Sequence, residues 1–339
     1  MTNFADRIIE AVKQKQSHVC VGLDPRWKRI PKPIREKALS EEGRTKRAAA
    51  SAIIEFNKIL IEAVSDKAVA VKPQIAFYEL YRQEGIKAFW KTVSLAREHG
   101  LLVIADIKRS DIGTTAEAYA QTYLSNSGGC KNSENHFIAS EKNKYGADAV
   151  TLNPYFGRDS IEPFLDRCQS TDKNEKRGGG RGIFILVRTS NPSAGEIQGL
   201  PLKNSHLGGE SDRKENVCTE VARLVAKLGE NFSGKYGYSA AGAVVAVTGG
   251  GETARLRQIL NKNYFLCPGY GAQGGGAEDV VPAFNRDGLG AIITSSRGIN
   301  YAYEKKHFSD DPGEAAREAA DAMRSEINLV LEKADRIAW

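Results

Sequence analysis

A chain of 339 residues, 41% of them hydrophobic, can bury one large α/β barrel or the cores of two smaller domains. The net charge of +6 is modest and the basic residues are dispersed among acids, which disfavours a nucleic-acid-binding protein and suits a small anionic substrate. No apolar run approaches the length of a membrane span, and the amphipathic N-terminus is unlike a signal sequence, so we expect no membrane partner.

Short apolar segments rich in Val, Ile and Leu alternate with amphipathic segments at helical spacing. In chain order, the predicted elements are strand 19–23, helix 48–65, strand 68–71, helix 86–99, strand 101–105, helix 114–123, strands 149–152 and 183–187, helix 215–228, strands 243–247, 265–267 and 291–294, and helix 312–334. The eight strands are apolar on both faces, which is typical of a parallel sheet covered by helices. We therefore predict an α/β fold, a single (β/α)8 TIM barrel.

Three polar segments interrupt this alternation, at 125–145, 169–181 and 200–213. They are rich in Gly, Asn, Lys or Ser and contain no periodic apolar pattern. Segments of this kind are typical of surface loops. We predict that they are surface insertions and that residues 1–339 form one domain.

The third predicted strand ends in charged residues. Since side chains alternate along a strand, Asp106 and Lys108 should lie on one face with Cα atoms about 6 to 7 Å apart. Asp111 follows just beyond the strand, where a loop can direct it to the same pocket or to a neighbouring chain. On this pattern alone, a structural ion pair that closes the strand end is as good an explanation as a catalytic site.

Polar residues also follow the other predicted strands: Asp24, Lys72, 153–155, 188–190, 248–251, 268–273 and 295–297. In a barrel, all of these positions meet at the C-terminal rim, where active sites are built. The glycine-rich segment 268–276 follows the seventh strand, and Arg297 follows the eighth. Glycines let backbone N–H groups approach an anion, while Arg297 offers a guanidinium and Gln273 a neutral donor, so we predict a phosphate-ester ligand.

The cysteines and histidines lack the spacing of metal ligands. Five widely separated cysteines without a CxxC pair predict reduced thiols, a cytoplasmic location and no structural zinc. The five histidines show no HxxxH spacing and are expected on the surface or in loops.

Taken together, these motifs resemble the orotidine 5'-phosphate decarboxylase family, and more specifically its longer bacterial, type 2 group. The matching segments are 21–25, 71–74, 105–112 with Thr115, 189–192, 268–275 and Arg297. They run from the first strand to the last. The resemblance implies decarboxylation of orotidine 5'-monophosphate to UMP and CO2, the final step of de novo pyrimidine synthesis, without any cofactor or metal.

The resemblance also implies roles for individual residues. The charged array would consist of Lys72, Asp106, Lys108 and Asp111. Lys108 would stabilise the carbanion at C6 and protonate it, while Asp111 and Thr115 would reach into the site of a partner subunit, making the active unit a homodimer. The implied substrate contacts are Asp24 and Lys72 to the ribose, Ser190 to the pyrimidine edge, and Gln273 and Arg297 to the phosphate.

Two alternatives stay open at this point. A Mg²⁺-dependent sugar-phosphate lyase or decarboxylase of the same superfamily resembles the chain around Asp106, but those enzymes have an acidic residue at the position of Lys72, where a lysine opposes metal binding. A non-catalytic barrel would be expected to have lost part of the array. Ser295 and Ser296 before Arg297 depart from the Gly-Arg of many relatives, which leaves the phosphate geometry open.

Overall fold

The computed structural model describes residues 3–125, 146–169, 180–203, 207, 215–247, 250–271 and 275–339. In this part of the chain, eight parallel strands close a barrel in the order β1-β10-β9-β8-β5-β4-β3-β2. The barrel strands are β1 (Val19–Leu23), β2 (Ala70–Pro73), β3 (Leu102–Arg109), β4 (Ala149–Leu152), β5 (Gly182–Arg188), β8 (Ser239–Val245), β9 (Asn263–Cys267) and β10 (Ala291–Ser295). The predicted (β/α)8 barrel is confirmed.

Helices surround the barrel and connect its strands. They are α1 (Phe4–Lys15), α2 (Lys32–Glu42), α3 (Lys46–Val64), α4 (Ala76–Glu79), α5 (Arg82–Glu98), α6 (Gly113–Leu124), α7 (Glu162–Cys168), α8 (Gly195–Gln198), α9 (Val217–Gly229), α10 (Gly250–Ile259), α11 (Ala277–Val280), α12 (Arg297–Asn300) and α13 (Pro312–Lys333). The long ones bury an apolar face against the strands, as in α3 and α13. No helix in the described ranges has the length and apolar character of a membrane span.

Helix α1 closes the N-terminal end of the barrel. Its buried residues Phe4, Ile8 and Val12 pack into the same apolar cluster as the side chains inside the barrel. The ring of Phe4 lies edge-on to Phe184 with centroids 6.0 Å apart. A Cβ at Gly182 would lie 2.0 Å from the Phe4 ring, so only glycine allows this approach. A ligand therefore has access from the opposite, C-terminal rim.

The largest differences from the predicted strand boundaries are in β8 and β3. Strand β8 begins at Ser239, four residues before the predicted start, because Ser239 and the alanines after it are buried even though their hydropathy is low. Strand β3 continues to Arg109, past its apolar part, and its register with β4 shifts between Ala105 and Arg109. This register shift lies within the charged motif and changes the backbone conformation of Lys108.

The three predicted insertions fall mainly outside the described residues, at 126–145, 170–179, 204–206 and 208–214. The ends of the third one pair as a small antiparallel sheet of β6 (Pro201–Leu202) and β7 (Glu215–Asn216). This pairing joins the two ends of the segment beside α9.

His18 lies in the connection between α1 and β1, as the loop expectation allows, but it is not on the surface. His18 is completely buried, with its ring 4.7 Å from that of Phe284 and 5.6 Å from that of Trp339. Burial lowers the pKa of His18 to about 3, so the ring is neutral. The residue directly precedes β1, and the C-terminus of the chain folds back over it, which no local pattern indicates.

Candidate active site

Three charged side chains meet at the C-terminal rim of the barrel. Lys72 comes from β2, and Asp106 and Lys108 come from β3, the neighbouring strand. The Nζ atoms of Lys72 and Lys108 each lie 2.5 Å from a different carboxylate oxygen of Asp106. Lys72 is 8% and Asp106 4% exposed, whereas 43% of the Lys108 side chain is open to solvent. Lys108 is thus the more accessible of the two ammonium groups for a ligand that enters from the rim.

The carboxylate of Asp106 accepts four hydrogen bonds. Its Oδ2 atom accepts from Lys72 and, at 3.1 Å, from the side-chain amide of Gln74. Its Oδ1 atom accepts from Lys108 and, at 2.8 Å, from the hydroxyl of Thr151 in β4. An ionised carboxylate has about four lone-pair sites, so these donors fully define its orientation.

The cluster remains ionised in spite of its burial. Burial by itself would raise the pKa of Asp106, but the adjacent ammonium groups of Lys72 and Lys108 hold that pKa well below its usual range. Burial likewise acts to lower the pKa of Lys72, yet the charges of Asp106 and Asp24 outweigh it and raise that pKa. The carboxylate and the buried ammonium therefore both carry their charge at neutral pH.

Lys108 does not have the extended backbone that strand periodicity implies. Its φ angle is +47°, in the left-handed region that residues other than glycine rarely occupy. It lies within the register shift between β3 and β4, and its N–H group donates at 3.0 Å to the side-chain hydroxyl of Thr151 in β4 instead of to a backbone carbonyl of that strand. The predicted contact between Asp106 and Lys108 is therefore present, but a bulge produces it rather than regular alternation.

Two contacts of Asp106 were not predicted. Gln74 follows Lys72 by two residues, so the alternation that relates Asp106 to Lys108 could have indicated it. Thr151 is a polar residue in an otherwise apolar strand segment, which is a weak signal. Gln74 directly follows β2, as the other candidates follow their strands, whereas Thr151 lies inside β4.

Asp111 and Thr115 follow the cluster in sequence but make no hydrogen bond or ion pair with it among the described residues of one chain. Asp111 is in the loop after β3 and accepts the N–H of Ile112 at 2.9 Å. Thr115 is exposed on α6. In the described part of this chain, Asp111 forms no ion pair with Lys72 or Lys108.

Four large apolar side chains are exposed in the segments that follow β2, β3 and β4. We call Leu80, Ile112, Tyr155 and Phe156 the rim patch; Tyr155, at 82%, is the most exposed of them. Arg109 links the segments that carry the patch. Its side chain forms an ion pair with Glu79, and its carbonyl oxygen accepts a hydrogen bond from the N–H of Asn153 at 3.1 Å. An exposed apolar patch of this kind marks an interaction surface.

Asp24 follows β1 and is half-buried. Its Oδ1 atom is buried and has no hydrogen-bond partner among the described residues. The hydroxyl of Tyr301 holds the adjacent backbone, because it donates to the carbonyl of Asp24 and accepts the N–H of Arg26, both at 2.9 Å. A ligand hydroxyl could satisfy the free carboxylate oxygen.

Arg297 begins α12 directly after β10 and is exposed at the rim. The loop that carries it packs closely on β1, since a Cβ at Gly22 would lie 1.9 Å from Oγ of Ser296. The loop after β9 turns at Gly269 and Gly271, whose φ angles of +108° and +71° favour glycine. Gln273 lies outside the described residues.

Ser190 is half-buried in the segment that follows β5. The preceding residue is held by Gln198 of α8: the Thr189 N–H donates to Oε1 at 2.9 Å, and Nε2 donates to the Thr189 hydroxyl at 2.8 Å. This pair of bonds fixes the backbone beside Ser190 at the rim. As for metals, the described residues contain no group of three or more His, Cys, Asp or Glu that could hold an ion.

Comparison with known proteins places this geometry in context. Residues 17–318 match the model of the orotidine 5'-phosphate decarboxylase / HUMPS family. The chain is 37% identical over 309 residues to an orotidine 5'-phosphate decarboxylase from Rhodopirellula baltica, covering 91% of this chain and 92% of the relative. It is 38% identical over 330 residues to one from Clostridium perfringens, with coverage of 97% and 100%.

Solved structures agree in architecture. Leishmania donovani OMP decarboxylase superposes with a TM-score of 0.64 at 28% identity, covering 97% of this chain and 98% of that one. Plasmodium berghei orotidine 5'-monophosphate decarboxylase gives a TM-score of 0.69 at 16% identity, with coverage of 97% and 99%. At 16% identity, the likeness to the Plasmodium berghei structure concerns the fold alone.

Proposed function

The chain belongs to the orotidine 5'-phosphate decarboxylase / HUMPS family, and we propose that the charged cluster on β2 and β3 carries out its reaction. The protein is a carboxy-lyase that converts orotidine 5'-monophosphate to UMP and CO2, the final step of UMP biosynthesis. One observation carries the assignment of the site: a buried carboxylate, Asp106, is held between two ammonium groups at the rim.

The chemistry explains why such a cluster is needed. Loss of CO2 from C6 of the pyrimidine leaves a carbanion whose lone pair lies in the ring plane, where the π system cannot delocalise it. Stabilisation must come from charge that is already in position. The accessible ammonium of Lys108 supplies this charge and then transfers a proton to C6, which completes UMP. The neutral amine recovers its proton from solvent.

Asp106 and Lys72 maintain the conditions for that step. The Asp106 carboxylate pairs with the Lys108 ammonium at 2.5 Å and places negative charge beside the carboxylate that leaves the substrate. Lys72 balances Asp106 on its other side, so that the carboxylate can remain buried and ionised before the substrate arrives. The cluster is thus preorganised rather than assembled by the ligand.

The remaining rim residues bind the nucleotide in this proposal. The free Oδ1 of Asp24 accepts a ribose hydroxyl, and Lys72 contacts the ribose from the adjacent strand. Ser190 bonds to the pyrimidine edge. Arg297 and Gln273 hold the 5'-phosphate, a part of the substrate far from the reacting carbon. Binding energy from this remote group can favour the transition state.

We further propose a homodimer in which Asp111 and Thr115 complete the site of the partner subunit. Among the described residues, Asp111 forms no ion pair with the cluster of its own chain, and Thr115 is exposed. The rim patch includes Ile112, which directly follows Asp111, and a second copy of the same patch would cover it around a twofold axis. The carboxylate of Asp111 would then extend the alternation of charges across the interface.

The proposal includes a single barrel unit over residues 1–339 and a cytoplasmic location. The family match spans 17–318, and the barrel strands run from Val19 to Ser295. The four cysteines in the described ranges are free thiols, as expected in a reducing compartment.

We also propose that the reaction requires no metal ion or organic cofactor. A divalent cation at the cluster would have to compete with two ammonium groups for the Asp106 carboxylate. The test follows the decrease in ultraviolet absorbance of orotidine 5'-monophosphate after EDTA-treated protein is added. Turnover that forms UMP and CO2, unchanged by added Mg²⁺, is the expected result. Turnover that appears only after the addition of Mg²⁺ would contradict a metal-free mechanism.

Replacing Arg297 with alanine should weaken UMP binding about 10- to 100-fold, the effect of losing hydrogen bonds to a charged phosphate. The affinity for uridine, which has no phosphate, should change little. Calorimetric titration of both ligands measures the difference. Arg286→Ala is the matched control, because Arg286 is exposed in the connection that leads into β10, at the opposite end of the barrel. Unchanged UMP affinity in Arg297→Ala would refute the phosphate assignment.

A further inference from the structure

Thr151 connects the two catalytic residues of β3 from a neighbouring strand. It lies in β4 and is 1% exposed. Its hydroxyl oxygen is 2.8 Å from Oδ1 of Asp106 and 3.0 Å from the backbone nitrogen of Lys108. One small side chain therefore contacts both the carboxylate and the backbone that carries the reactive ammonium.

The direction of these two bonds is determined by the partners. Asp106 is ionised and can only accept, so the single hydroxyl proton of Thr151 must point to Oδ1. The N–H of Lys108 can only donate, so it must use a lone pair of the same hydroxyl oxygen. The hydroxyl therefore donates to Asp106 and accepts from Lys108, and the two partners cannot exchange these roles.

The bond to Lys108 matters because the backbone there is strained. At a φ of +47°, a lysine is held in a conformation that is unfavourable without support from its surroundings. The register shift between Ala105 and Arg109 interrupts the backbone ladder with β4 at this point. The Thr151 hydroxyl replaces the missing ladder partner and gives the Lys108 N–H group an acceptor.

We propose that Thr151 is a positioning residue for the decarboxylation. Its hydroxyl holds the left-handed conformation of Lys108 and the orientation of the Asp106 carboxylate together, so that the ammonium is directed at C6 while the carboxylate faces the leaving group. The inference rests on the proposed roles of Asp106 and Lys108. Thr151 itself touches neither the substrate nor the transferred proton.

Valine has nearly the shape of threonine but no hydroxyl, so Thr151→Val removes both bonds and keeps the volume. The Lys108 N–H loses its acceptor, and Asp106 keeps three of its four donors. A small displacement of positioned groups costs catalysis far more than it costs binding. We expect kcat to fall about 10- to 100-fold, with KM and the affinity for UMP within about threefold of the native values.

Two further variants separate the effect of the Thr151 hydroxyl on catalysis from a general loss of stability. Thr151→Ser restores a hydroxyl on a smaller side chain and should recover most of kcat. Thr92→Val is the matched control: Thr92 is fully buried on α5, and its hydroxyl also donates once, to the Ala88 carbonyl at 2.8 Å, and accepts once, from the Asn57 amide at 3.0 Å. We expect Thr92→Val to lower the melting temperature while kcat per folded molecule stays unchanged.

The measurements are steady-state kinetics with orotidine 5'-monophosphate, UMP titration and thermal unfolding for each variant. A kcat in Thr151→Val within about twofold of the native value would overturn the inference. The inference would also be overturned if kcat fell as far in Thr151→Ser as in Thr151→Val, or if Thr151→Val lost as much UMP affinity as kcat. If the valine variant does not fold, Thr151→Ala is measured against the same criteria. Full activity in Lys108→Ala would instead refute the assigned role of Lys108, which is a separate failure.

Discussion

Replacing Lys108 with alanine is expected to reduce kcat for orotidine 5'-monophosphate by about 10⁴-fold or more. The substitution removes both the charge that stabilises the carbanion and the proton that completes the product, and losses from these two sources multiply. The barrel should remain folded, because 43% of the Lys108 side chain is exposed and Lys72 still balances Asp106. Binding of UMP should therefore be retained to within about tenfold.

Stopped assays with high enzyme concentration measure the residual rate, and circular dichroism and UMP titration verify the fold and the site. Lys235→Ala is the matched control, because Lys235 also forms an ion pair, with Glu10 at 2.7 Å, but near α1 at the closed end of the barrel. It should retain native kcat. Comparable activity in Lys108→Ala and the native protein would eliminate Lys108 as the proton donor.

Mixing two inactive variants is expected to restore activity if the site is shared between subunits. Lys108→Ala and Asp111→Ala homodimers should each be at least about 100-fold less active than the native protein. In a mixed dimer, one site carries both defects, and the other combines an intact Lys108 with an intact Asp111 from the partner. With equal, random assembly, about one quarter of all sites become native.

The experiment compares activity before and after the two variants are unfolded and refolded together. Refolding Lys108→Ala with a chain that carries both substitutions is the control, because no site in that mixture contains an intact Lys108. It should stay inactive. If Lys108→Ala mixed with Asp111→Ala also remains inactive while native dimers survive the same treatment, Asp111 acts within its own chain or not at all, and the shared site is wrong.

A site that needs Asp111 from the partner subunit also requires that the protein be a dimer when it is active. If the protein sediments as a monomer at the concentration of the assay and is fully active, the rim patch has another occupant. A dimer that dissociates on substitution of Tyr155, the most exposed member of the patch, would agree with the proposed interface.

Local periodicity was sufficient to predict the barrel and the rim on which polar residues gather. Strands that are buried on both faces are largely apolar, so polar residues mark the positions where they end: Asp24 directly follows β1, and Lys72 is the next-to-last residue of β2. The order of strands and helices then leaves one rim for all of these residues. The family motif, including Asp106 and Lys108, also lies in consecutive sequence and could be recognised directly.

Other features arise only when distant segments pack together. The bond between Thr151 and Asp106 joins residues 45 positions apart, and it depends on a register shift that alternation in β3 does not indicate. His18 is buried because the chain terminus, Trp339, packs against it. The sequence by itself therefore determined which residues stand at the ends of the strands. The tertiary structure decided how the Asp106 carboxylate and the Lys108 ammonium are aimed, because orientation depends on hydrogen bonds between strands that no single segment contains.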